Sequence, residues 1–237
     1  MRAVIYTAIF DGYDTLNQPA VQDEACDFIC FTDMDLPRRV GAWRIVPIRR
    51  DRRAHPRLQA KHFKLMSHRV FPRGRLAWRY AVLSRRPHFD LSVWVDGSVR
   101  IMSPSFVGDM RERLADGPWA MFIHPDRDCI YEEAQESSGM RKYRDLPIFP
   151  QVEAYRSTVP PRGGLHACTV IVRREPVPRR VVEVHDAWWA ENLKWTYQDQ
   201  LSLPYVLRRD GGPDPHPIRE CLWNNPWFDI LPHTSDA

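Results

Sequence analysis

The chain has 237 residues, 43% of them hydrophobic, which suits one α/β domain with a packed core. Its formal net charge is +4, with arginine far outnumbering lysine; no basic face interleaved with aromatics and no nucleic-acid module is present, so nucleic-acid binding is not expected and a small anionic ligand is. No stretch approaches the roughly 18 to 20 apolar residues that span a bilayer, and Asp11 arrives too early for a secretory leader, so a cytoplasmic chain is expected, with peripheral membrane contact left open.

In chain order, "AVIYTAIF" (3 to 10) is rich in strand formers and ends in the turn Asp11-Gly12-Tyr13-Asp14. "DFICFTD" (27 to 33) and "WRIVPI" (43 to 48) follow as two more strands. From Pro56, "PRLQAKHFKLMSHRVF" spaces Leu58, Phe63, Leu65, Met66 and Val70 as a helix does, with proline in the first turn. On that helix Arg57, Lys61 and Lys64 stand at i, i+4 and i+7, so one face presents three cations. Such a face is either solvated or set against a pyrophosphate.

"PRGRLAWRYAVLSRRP" (72 to 87) carries five arginines and no acid, the pattern of a solvated helix or loop, or of contact with an anionic acceptor or lipid surface. "DLSVWVD" is the next strand, and Asp96 stands at its carboxyl end, followed by Gly97 and Ser98. Strands separated by helices imply a mostly parallel sheet, whose ligands bind beyond the strands' carboxyl ends. Asp96 therefore has two readings. One is a plain Asp-Gly turn; the other is a hard oxygen ligand bridged by Mg²⁺ or Mn²⁺ to a diphosphate, with Gly97 allowing close approach and Ser98 offering a hydroxyl.

The apolar run "WAMFI" leads to "HPDRDCIYEEA", where His124 and Arg127 are candidates for hydroxyl and phosphate contacts and Glu132 and Glu133 begin a helix. "GGLHACTVIVRR" is a strand behind Gly163 and Gly164, glycines that serve a turn or the approach of a sugar. "YQDQLSLPYVL" opens an apolar helix with Asp199 and Gln200, where the acid serves as a cap or as a catalytic carboxylate. The cysteines Cys26, Cys30, Cys129, Cys168 and Cys221 lack zinc spacing and read as reduced, mostly buried thiols.

Taken together and in this order, "YTAIFDGYD", "DFICFTD", "WVDGS", "HPDRDCIYEEA", "GGLHACTVIVRR" and "YQDQLSLPYVL" resemble the glycosyltransferase-like domain family named for plant proteins of turgor regulation and mucilage synthesis. The resemblance covers about residues 3 to 209. It implies an α/β GT-A fold, with a nucleotide-sugar-binding half over about 1–100 and an acceptor-binding, catalytic half over about 101–237. It also implies that a nucleobase meets the end of the first strand, at the backbone of Thr7 and Ala8, with Phe10 or Tyr13 stacking and Asp11 accepting from the base or ribose. Arg57, Lys61, Lys64, Asp96, Gly97, Ser98, His124, Arg127 and Gly164 complete the expected donor site.

A divalent cation, Mn²⁺ or Mg²⁺, is expected at Asp96 and Ser98, although Ser98 stands where many GT-A enzymes have a second acid. His216 or His233 would close that site, since these enzymes often use a histidine near the C-terminus. Asp199 and Gln200 resemble a pair that borders the reacting carbon in retaining GT-A enzymes. Asp199 would orient or deprotonate the acceptor hydroxyl or stabilise the transition state, with stereochemistry left open. The tail "CLWNNPWFDILPH" and the pair Trp188-Trp189 offer aromatic platforms for an acceptor sugar, or core packing.

The expected function is transfer of a sugar from a nucleotide-sugar donor to a hydroxyl acceptor: a glycan, a lipid-linked glycan or a small metabolite. The alternative is a catalytically silent GT-A domain that binds a nucleotide sugar or glycan. A nucleotidyltransferase would want a glycine-rich phosphate loop, and neither GxGxxG nor GxxxxGK[ST] is present.

Overall fold

The computed structural model describes residues 2–71 and 89–233. The arginine-rich stretch at 72 to 87 lies outside the described residues. Residue by residue, strand β1 (Ala3–Ile9) sends Ala3, Ile5 and Ile9 into one apolar cluster and Val4, Tyr6 and Ala8 into another, so the strand is buried on both faces. Its even period and its lack of charged positions are what a central strand between two layers requires. Strands β2 (Cys26–Thr32), β3 (Arg39–Val40) and β4 (Trp43–Pro47) extend the sheet on one side of β1. On the other side lie β5 (Leu91–Val95), β8 (His166–Arg174), β7 (Trp119–Ile123) and β9 (His216–Ile218).

The order is β3-β4-β2-β1-β5-β8-β7-β9, with β4, β2, β1, β5, β7 and β9 running one way and β3 and β8 the other. This is the expected α/β architecture: a mixed, mostly parallel sheet flanked by helices in a GT-A-like arrangement. Strands from both halves of the chain join one sheet.

Helix α3 (Phe106–Leu114) covers one face with Phe106, Val107 and Met110. The other face is covered by α1 (Pro56–Leu65) and α2 (Ser67–Val70), together with α6 (Arg179–Lys194) and α7 (Asp199–Asp210). Helices α4 (Ile130–Gly139) and α5 (Ile148–Ala154) form a third cluster with Tyr143, Tyr155 and Leu201. After Asp96 the chain does not close a hairpin on β5; β6 (Val99–Ile101) leaves the main sheet and pairs with β10 (Phe228–Ile230). That small sheet returns the C-terminal segment to Ser98, whose carbonyl accepts from the Leu231 amide.

Three cysteines are buried, Cys26 is half-buried and Cys221 exposed, all free. Among the described residues, no helix is long and apolar enough to cross a membrane.

Candidate active site

The carboxyl ends of β1, β5 and β7 open onto one cleft with two connected compartments. The first, about 500 Å³ with its mouth, runs from Ala8 and Phe10 past Tyr13 to Asp96 and Gly97. The second, about 830 Å³ with its mouth, is lined by Asp96, Ser98, His124, Arg127, Asp199 and Gln200, among others. Arg57, Lys61, Asp96 and His233 border both.

The first compartment is shaped by the turn after β1. Tyr13 donates its amide to the Phe10 carbonyl, and Asp11 and Gly12 both have positive φ (59° and 63°), as a type I′ turn demands. Tyr13 then lies under the Arg57 guanidinium, 3.9 Å from its ring centroid, and 5.0 Å from the His233 ring. Phe10, expected to stack on a base, is instead buried against Phe63 at 5.7 Å and shows almost none of its ring. Thr7 is likewise buried within β1 and lines neither compartment. Asp11 stands at the rim, paired with Arg50 at 2.8 Å, while its amide donates to Asp33. Asp11 lines neither compartment.

Asp14, which the sequence left unassigned, accepts from His233 Nδ1–H at 2.7 Å. Gly97 makes this pair fit: a Cβ there would stand 2.6 Å from Asp14 Oδ2. The close approach that Gly97 permits is therefore that of Asp14.

The floor of the second compartment is a chain of alternating charges. Helix α1 starts on Pro56, with His55 Nδ1 accepting from the Arg57 amide, and its cationic face turns inward to the sheet's end. Lys64 Nζ lies 3.1 Å from Asp96 Oδ1 and 2.8 Å from Asp199 Oδ2; Lys61 Nζ lies 2.8 Å from the same Asp199 oxygen. Trp94, two residues before Asp96 on the same side of β5, donates its indole N–H to Asp96 Oδ1 at 2.8 Å.

Burial alone would raise the Asp199 carboxyl, but the charges of Lys61 and Lys64 and their hydrogen bonds outweigh it and hold it below the usual carboxylate range. Burial, the largest effect on Lys64, is overcome by Asp199 and Asp96, which hold its ammonium above its usual range. For Lys61 burial prevails over Asp199, and its pKa is lowered. The Asp199 carbonyl accepts from Trp188, which is fully buried and so is core and no platform.

The opposite wall centres on Glu133, buried in the first turn of α4. It accepts from Arg127 Nε at 2.6 Å, from Ser137 at 3.1 Å and from Gln198 at 2.9 Å. His124 receives the Asp126 and Arg127 amides on Nδ1, so its Nε2–H faces Glu133 at 3.6 Å; burial lowers its pKa. Between the walls, β8 bulges: Met121 pairs with Ile171 but Phe122 with Ala167, which pushes Cys168 and Thr169 into the cleft.

Two more expected residues do not arrive. Gly164 has φ +88° and hands its amide to the Asp128 carbonyl, a turn glycine that lines neither compartment. His216 opens β9 opposite Ala120, near the amino end of β7, so the sheet itself separates it from Asp96. Glu133, Tyr143, Gln198 and Trp223 also line the second compartment; Gln198 directly precedes Asp199, Glu133 lies in the acidic first turn of α4, and Trp223 belongs to the aromatic tail.

A divalent cation fits only in company with a phosphate. Among the described residues no three His, Cys, Asp or Glu side chains converge on one point. Asp96 Oδ1 is taken, but no hydrogen bond holds its Oδ2, and Asp14 at Nδ1 of His233 leaves Nε2 as a ligand atom. With the Ser98 hydroxyl, which lines the same compartment, these would supply part of a coordination sphere. Mg²⁺ commonly completes such a sphere with substrate phosphates and water.

The sheet order, with a cleft bearing cationic side chains at the strands' carboxyl ends, is that of a GT-A-like fold. The model of the TOD1/MUCI70 glycosyltransferase-like domain matches residues 1–213, and the chain belongs to that family. It is 23% identical over 232 residues to a probable hexosyltransferase, MUCI70, of Arabidopsis thaliana, with 86% of this chain and 36% of that protein covered. The chain thus spans about a third of the relative's length.

Proposed function

We propose that this domain transfers a hexose from a nucleotide-sugar donor to an acceptor hydroxyl, with the base and ribose in the first compartment and the sugar in the second. The observation that carries this reading is Arg57. It stands where the compartments join, and its Nε and Nη2 are buried without a hydrogen-bond partner among the described residues. Buried guanidinium donors left open are costly unless a ligand fills them, and a diphosphate does so in a forked geometry.

Arg57 and Lys61 then hold the diphosphate, with the buried Lys64 behind them adding positive charge. A divalent cation bound with the donor at Asp96, Ser98 and His233 would add Lewis-acid neutralisation of the leaving diphosphate. Lys64 is fully buried and tied to two carboxylates, whereas Lys61 is partly exposed and paired with Asp199. An incoming diphosphate competes with Asp199 for Lys61, and losing that partner makes the carboxylate more basic.

Asp199 then accepts the acceptor's hydroxyl proton as the new C–O bond forms at the anomeric carbon. The anomeric carbon–phosphate oxygen bond breaks, and its electron pair leaves on the nucleoside diphosphate held by Arg57 and Lys61. Gln200 and the Glu133-braced His124 and Arg127 contact the sugar's hydroxyls.

Calorimetric titration with UDP, GDP and their hexose conjugates, with and without Mn²⁺, tests this. Binding that falls about tenfold or more in Arg57→Gln is expected, since a charged hydrogen bond is lost. A wild-type protein that binds none of these ligands would overturn the proposal. Binding without hydrolysis or transfer would leave a nucleotide-sugar-binding module.

A further inference from the structure

We propose that Trp223 is a stacking platform for an oligosaccharide acceptor, so that the substrate class is a preformed glycan chain and not a small metabolite or a lipid. The inference rests on the cleft being a glycosyl-transfer site. Of the described tryptophans, Trp223 is the exposed one, at 57%; the other seven are buried or half-buried. It lines the second compartment together with Asp199. Its indole N–H donates to Asp126 Oδ2 at 3.0 Å, which pins the ring by its edge and leaves ring surface to solvent. The pairing of β10 with β6 anchors the segment that carries it.

A fixed, solvent-facing indole beside a polar cleft suits a pyranose, whose C–H face packs on the ring while its hydroxyls meet polar neighbours. Those neighbours continue outward. His124 and Arg127 are shared with an open groove of about 680 Å³, which Asp126, Asp128, Glu132 and Arg162 also line. One sugar unit lies at Asp199, the next reaches Trp223, and further units follow the groove, where carboxylates accept from hydroxyls and guanidiniums donate to them. The groove walls are mostly polar and charged; of the large exposed apolar residues Ile123 lines it, while Val21, Met102, Phe149 and Leu193 lie outside it. A lipid chain would have little to pack against.

The test uses the protein labelled with nitrogen-15 at indole nitrogens. Trp223→Phe removes one indole N–H signal and so assigns it. Short neutral and uronic-acid oligosaccharides, their monosaccharides, UDP, GDP and anionic lipid vesicles are the probes. An oligosaccharide should shift the Trp223 signal and bind more tightly than its monosaccharide. Trp223→Ala should weaken that binding about tenfold or more, as loss of an aromatic anchor does, with Trp223→Phe recovering part of it and nucleotide affinity unchanged.

A signal that no saccharide moves overturns the proposal, as does saccharide binding that survives Trp223→Ala intact. A signal moved by vesicles alone overturns it in favour of a lipid surface. Failure of the donor reading looks different: saccharides bind at Trp223 while no nucleotide or nucleotide sugar binds anywhere.

Discussion

Lys64 and Asp199 meet with 2.8 Å between Nζ and Oδ2, and each is 1% exposed. Asp96, at 3.1 Å from the same ammonium, draws the two cleft carboxylates onto one buried cation. Removing a partner from such a pair leaves a charge without compensation, which costs about 3–5 kcal/mol, whereas replacing both with apolar groups of similar size costs far less. Lys64→Met should therefore destabilise by about that amount. Lys64→Met combined with Asp199→Leu should recover part of it, since Lys61 and Asp96 then each lose a partner, and remain inactive. Urea unfolding of the three proteins decides this, and an additive loss in the double variant would mean the pair is not a unit.

Asp199→Asn separates chemistry from binding. Turnover should fall roughly 10² to 10⁴-fold, the range for loss of a general base. Nucleotide affinity should hold or tighten, because Lys61 no longer has a carboxylate to satisfy. A residue that merely opened α7 would show near-normal turnover, since asparagine serves a helix start well. Single-turnover rates and calorimetry on the same variant distinguish the two.

The flanking lysines also set a pH limit. Because they hold the Asp199 carboxyl below its usual range, the ionised form persists through neutral pH and is lost only as pH falls through the lowered value. In Lys61→Met one of those charges is gone, so the acid limb of kcat should move to higher pH. An acid limb that stays in place would detach Asp199 from it.

Stability should carry an acid slope from buried histidines. His185, between Trp119 and Trp188, is pushed well below the usual histidine range by burial, and His166 is pushed down to about 4 by the same cause. The unfolded chain binds protons on these rings from about pH 6.5 downward while the folded protein does not. Their contribution is thus fully present above that pH and is lost as pH falls, at about 1.4 kcal/mol per pH unit for each ring. His185→Phe should flatten the slope by one ring's share, read from unfolding free energies at neutral pH and near pH 5.

A fifth expectation concerns Arg173, fully buried on β8, which donates to the Lys64 carbonyl at 2.7 Å and to the Tyr6 hydroxyl at 3.0 Å. It is a positioning residue for Lys64. Arg173→Lys keeps a charge but loses the fork, so the rate should fall while the acid limb of kcat shifts with the disturbed Lys64–Asp199 contact. A uniform loss of stability with an unmoved limb would assign it to the core alone.

Much of this was legible in the chain itself. Strand β1 reads as buried because apolar residues fill both of its periods, and α1 reads as a helix with a cationic face because residues 57, 61 and 64 share a side. Asp96 reads as a strand-end carboxylate because "VWVDGS" stops an apolar run on an acid and a glycine. These are local facts of period and residue type, and the backbone enforces them wherever the segment lies.

Partnership was decided only by the tertiary structure. That Lys61 and Lys64 bind Asp199, 138 and 135 positions away in the chain, follows from α1 and α7 sharing one face of the sheet. That Asp14 meets His233 follows from β10 pairing with β6, and that Trp223 reaches Asp126 depends on the same returning segment. His216 and His233 look alike in sequence; a strand start at one end of the sheet and a tail returned to the other separate them. Ion pairs and close approaches depend on distance in space, and for residues this far apart only the packed sheet sets that distance.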